Sequence, residues 1–135
     1  MTKYILSYVV TLIFFLAIDL VWLGWIARPL YVAEIGSLLR KEPKLIAAAT
    51  FYLMFAAGLM AFAVIPGLNA NSATHAMLFG ALLGLVAYGT YDLTNLAVLN
   101  GYTVRMAIVD LVWGTVLSGV TAALAVLLIR MVFGE

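Results

Sequence analysis

Four apolar runs, residues 4–27, 45–65, 73–99 and 106–133, constrain this chain more than any other feature. Each exceeds the roughly 20 residues that carry an α-helix across a hydrocarbon core about 30 Å thick. The second run holds no charged residue. Only 10% of the 135 residues are charged and 67% are hydrophobic, whereas a soluble domain carries about 25% charged residues. A water-soluble fold is therefore excluded. The expectation is one domain over residues 1–135, an all-α integral-membrane four-helix antiparallel bundle. Its helices should cover about residues 4–27, 45–65, 73–99 and 104–133.

The first run is expected to be a retained helix and not a secretion signal. It is too long for a signal's apolar core, contains Asp19 and leads into Arg28-Pro29 instead of a small-residue cleavage site. The chain has no cysteine, which excludes disulfides and thiolate chemistry. A net charge of +1, with no basic run or stacking motif, argues against a nucleic-acid partner.

The connections are short. Pro66-Gly67 is expected to end the second helix, before a polar turn over Asn69 to Ser72. Asn100-Gly101 opens the third connection, and Thr103 suits the N-cap of the fourth helix. The first connection, residues 28–44, is longer. There Tyr31, Ile35, Leu38 and Leu39 recur at helical spacing beside Arg40, Lys41 and Lys44, which predicts a short amphipathic helix at the membrane interface. Five basic residues (Arg28, Arg40, Lys41, Lys44, Arg105) fall on the side of the first and third connections, and two (Lys3, Arg130) on the other. The positive-inside bias then places those connections in the cytoplasm and both termini in the periplasm.

Three of the six acidic residues, Asp19, Asp92 and Asp110, interrupt apolar runs. A carboxylate at the centre of a membrane helix costs about 2.5–3.5 kcal/mol on insertion scales, so such residues mark a function or a specific helix contact. Asp19 lies nine residues before Arg28, Asp92 eight before Asn100 and Asp110 five after Arg105. These spacings put all three roughly 8–13 Å from the same membrane face. Tyr88, Asp92 and Asn95 share one face of the third helix, with Tyr91 beside them. Trp22 and Trp113 each follow an aspartate by three residues, in a tetrapeptide Asp-Leu-Val-Trp that occurs twice, and an indole N–H can donate to a carboxylate. At the rim, Arg28 and Arg105 are the cations that could reach inward. Three crowded carboxylates without matched cations are expected to hold a proton or to bind a cation or an amine.

These residues carry a resemblance. The stretches Asp19 to Gly24 with Arg28-Pro29 and Tyr31, Phe51-Tyr52, Gly80 to Gly84, Tyr88 with Thr90 to Leu96, and Val109-Asp110 with Trp113-Gly114 resemble the small bacterial inner-membrane proteins of domain-of-unknown-function family 2177. The resemblance implies a four-helix inner-membrane protein and no particular activity, substrate or cofactor.

Bland readings stand beside the functional one. Each aspartate could simply tie helices together through Tyr88, Asn95 or a neighbouring indole, contacts worth about 0.6 kcal/mol on average. Trp25 suits an interfacial aromatic belt, and His75 sits alone at a helix start on the opposite side. No His-x-x-x-His or Glu-x-x-His pair is present, so no zinc, haem or di-iron site is expected. Oxygen-rich binding of Mg²⁺ or Ca²⁺ is the one metal reading left. Gly80, Gly84, Gly114 and Ser118 form small-residue faces for close helix packing, within the bundle or in a homodimer. The expected function is a carboxylate-rich intramembrane pocket near the cytoplasmic face, binding membrane lipid or another small amphiphile or a cation, with Tyr88, Tyr91 and Asn95 orienting it. Oligomeric proton- or cation-coupled transport and an accessory role in a larger complex are the alternatives. Transport is disfavoured because nothing polar is expected to continue toward the far face.

Overall fold

The structure, a computed structural model, describes residues 1–134 and is helical along almost its whole length. Four helical spans are long and apolar enough to cross a membrane: Thr2–Ile26, Leu45–Asn69, Ala73–Val98 and Val104–Phe133. The first comprises α1 (Thr2–Val21) and a wide π-type turn over Trp22–Ile26. A short helix, α2 (Arg28–Ile35), follows, with Pro29 in its first turn, where a missing N–H does no harm.

The second span differs from expectation at its end. It runs as α3 (Leu45–Leu59), a wide turn over Met60–Val64, and α4 (Ile65–Asn69), so Pro66-Gly67 lies inside the helical segment instead of terminating it. The physical reason is the wide turn. The Ile65 N–H bonds five residues back to the Met60 carbonyl. This loosened winding just before Pro66 makes room for a ring that would clash in a regular helix.

The third and fourth spans, α5 (Ala73–Val98) and α6 (Val104–Phe133), form an antiparallel hairpin that is the best-packed pair in the molecule. A tight link joins them, with Gly101 at φ +85°, a conformation other residues rarely adopt. Thr103 caps α6 as expected, its Oγ1 accepting from the Met106 N–H at 3.1 Å. The glycine faces are used inside this hairpin. A Cβ on Gly80 would lie 2.7 Å from the Ser118 carbonyl oxygen, and one on Gly84 would overlap the Gly114 carbonyl.

α1 packs against α6 and α3, and α5 meets the second span mainly through the Met60–Val64 turn and α4. The apolar core, with Phe15, Leu59, Val64, Leu117, Val126 and Ile129, fills the middle and the terminus-side half of the bundle. Toward the first connection the packing opens. Buried residues of α3 begin only at Phe55, and Leu45, Ile46, Leu53 and Met54 face outward. The second span therefore leans away from α5 at the end where the aspartates lie.

Candidate functional site

All three aspartates are buried, none facing the lipid side, but they do not share one cavity as expected. Asp19 is tied off separately. Its Oδ2 accepts from the Tyr52 hydroxyl at 2.6 Å and its Oδ1 from the Trp113 indole at 3.0 Å. Both carboxylate oxygens thus have a donor from a neighbouring span, which is the tethering role for this residue. Asp92 and Asp110 form the true pair, with their carboxyls within hydrogen-bonding reach of each other. Asp92 accepts from the Tyr102 hydroxyl at 2.5 Å through Oδ1, and Asp110 from the Tyr31 hydroxyl at 2.8 Å through Oδ1. Asp92 Oδ2 is buried and receives no hydrogen bond.

Crossed pairing explains the repeated tetrapeptide. On antiparallel helices, Asp19 (nine residues before Arg28) is level with Trp113 (eight after Arg105), and Trp22 is level with Asp110. Trp113 accordingly reaches across to Asp19. Trp22 donates to the Tyr31 hydroxyl at 3.1 Å, which passes the interaction on to Asp110. The two indoles stack face to face, centroids 4.2 Å apart and rings 8° from parallel. The wide turn at Trp22–Ile26 lies at this point of α1, a common position for such turns near functional sites.

α2 closes the acidic end. Its Tyr31 and Ile35 pack on Tyr102, Met106 and Ala107, while Leu38 and Leu39, expected on the same face, lie beyond α2 and are exposed. Glu34 accepts from the Thr103 hydroxyl at 2.6 Å and from Arg105 at 3.4 Å. The arginine is 73% exposed, so the ion pair adds little and the threonine contact is the better anchor. Burial, together with the adjoining carboxylates Asp110 and Asp92, pushes the Tyr31 and Tyr102 hydroxyls up from their ordinary range. Both hydroxyls therefore stay protonated and act as donors.

A cavity of about 380 Å³ lies where the second span leans away, bounded by Phe51, Ala87, Tyr88, Tyr91 and Asp110. Of the residues expected to form a pocket, Asp110, Tyr88 and Tyr91 line it, and Asp92 stands behind Asp110. Trp22, Trp113 and Asp19 belong to the adjoining hydrogen-bond network. Asn95 does not line the cavity; it lies half-buried within reach of the Tyr91 hydroxyl. The rim arginines do not turn inward, since Arg28 is exposed and Arg105 faces Glu34. Tyr31, Tyr52 and Tyr102 were not expected as partners. Their signal was a phenol on the aspartates' side of the membrane, but its reach depends on how the second span and α2 fold back.

Among the described residues no group of three or more His, Cys, Asp or Glu is placed to hold a metal ion. One further expectation changes: polar groups do continue toward the far face, Ser7, Thr11, Ser118 and Thr121 being wholly buried along α1 and α6. Between them and the carboxyls lie Phe15 and Leu117, both fully buried, four residues deeper than Asp19 and Trp113. His75 stacks on Phe79 and its N–H is capped by Ser72. Trp25 is 83% exposed, where an interfacial ring would lie.

The arrangement of four apolar spans and buried aspartates coincides with a recognised group. The family described as Predicted membrane protein (DUF2177) matches residues 4–127. The chain belongs to that family. The match takes in the second and third spans whole, most of the first and fourth, the three aspartates and every residue lining the cavity, so the site lies wholly within the DUF2177 region. No curated protein and no solved structure matches the chain.

Proposed function

We propose that this membrane protein binds a small amphiphile that enters sideways from the bilayer, its polar group meeting Asp110 and its apolar part lying along Phe51, Ala87 and the outward face of α3. The observation that carries this is the cavity itself: aromatic and apolar walls with one buried carboxyl, the usual make-up of a small-molecule site. It lies where the second span parts from α5, which supplies a route from the acyl chains. Filling it is the direct test. The Ala87→Trp protein, extracted with native lipid and examined by native mass spectrometry, should lose a bound small molecule that the wild type retains. Identical spectra would defeat the reading, and identical spectra with a stoichiometric protein partner would favour an accessory subunit.

The transport reading has less support, because the Phe15–Leu117 layer separates the carboxyls from the deeper hydroxyls. The basic count supports an inner-membrane protein with its acidic end toward the cytoplasm and both termini periplasmic. The absence of native cysteine allows a clean check. In intact cells an impermeant maleimide should label Asn71→Cys and spare Lys41→Cys; the reverse pattern would invert the topology.

A further inference from the structure

The polar contacts around the cavity narrow its occupant to one chemical class. Asp19 is fully supplied with neutral donors. Asp92 and Asp110 are not. Each has one tyrosine donor, the two carboxyls stand within reach of each other, and Asp92 Oδ2, on a residue 0% exposed, receives nothing. Even when one proton is shared between the two carboxyls, the pair keeps a negative charge, so the space beside it is suited to a positive donor. Among the described residues neither rim arginine supplies one, since Arg28 is exposed and Arg105 faces Glu34. A divalent metal is a poor fit without a third ligand in place. The remaining walls are the rings of Phe51, Tyr88 and Tyr91, whose faces attract organic cations.

We infer that the occupant carries an ammonium group: an alkylamine or amine headgroup lodges against Asp110, with Asp92 behind it, and its chain passes Phe51 into the bilayer. This rests on the pocket reading above and names the chemistry of its ligand. Anionic amphiphiles are repelled by the same carboxyls, and neutral ones can donate a hydrogen bond but bring no opposite charge.

The test uses the full chain in a neutral detergent, titrated with dodecylamine, dodecanol and dodecanoate and read by calorimetry and by melting temperature. Dodecylamine should bind about tenfold or more tightly than dodecanol, dodecanoate should not bind, and Asp110→Asn should erase the preference. Should Asp110→Asn fail to fold, Ala87→Trp must abolish dodecylamine binding. Equal binding of alcohol and amine, both blocked by Ala87→Trp, overturns the ammonium inference and leaves the pocket standing. No binding by any of the three overturns both. In nanodiscs of mixed phosphatidylethanolamine and phosphatidylglycerol, enrichment of phosphatidylethanolamine on the protein would identify a lipid headgroup as the source, and no enrichment a free amine.

Discussion

Replacing Gly114 with alanine is expected to destabilise the bundle by about 1–3 kcal/mol, the usual range for overpacking a tight interface, and to lower the melting temperature in detergent by several degrees. A Cβ at this position falls directly on the ring carbons of Tyr88 nearest its own backbone. That part of a tyrosine cannot swing aside, so α5 and α6 must separate or Tyr88 must change rotamer. Either response also moves one wall of the cavity. Truncating the partner checks the cause: Gly114→Ala should cost far less when introduced into Tyr88→Ala than into the wild type. A Gly114→Ala protein with unchanged melting would show that the two helices are not held at this distance.

Tyr102→Phe is expected to cost about 1–3 kcal/mol, the penalty for leaving a buried polar group without its partner. Its hydroxyl donates to Asp92 Oδ1, and the phenylalanine ring keeps the packing. The effect should shrink in an Asp92→Asn background, where the amide can donate toward Asp110 itself. A double-mutant cycle by denaturation in detergent measures this coupling. A value of zero would mean that Tyr102 does not hold Asp92 in place, and the reading of the carboxyl pair as an anchored, pre-arranged centre would fail.

Both predictions depend on contacts that single residues announce only faintly. The four spans were legible because 20 or more apolar residues in a row have one stable solution in a bilayer. The Thr103 cap was legible from local chemistry because its partner, the Met106 N–H, lies three residues on. The short helix after Arg28 was legible from periodicity only as far as Ile35, and its anchors, Asp110 and Thr103, lie far along the chain. Pro66 misled because a proline's effect on a helix depends on the winding just before it, here the wide turn over Met60–Val64. The aspartates' depth was readable by counting, but their partners were not. Tyr52 and Tyr31 meet them across 33 and 79 positions of chain.

Spacing and composition alone determined that this chain has four helices long and apolar enough to cross a membrane and that three carboxyls lie toward one end of them, since hydropathy and helical rise are properties of short segments. Only the tertiary structure decided that Asp19 is sealed by Tyr52 and Trp113 while Asp92 and Asp110 stand together beside an open cavity. The cause is geometric. The close glycine contact of α5 with α6 and the outward lean of α3 are long-range outcomes of packing, and they settle which carboxyl is enclosed and which is left accessible.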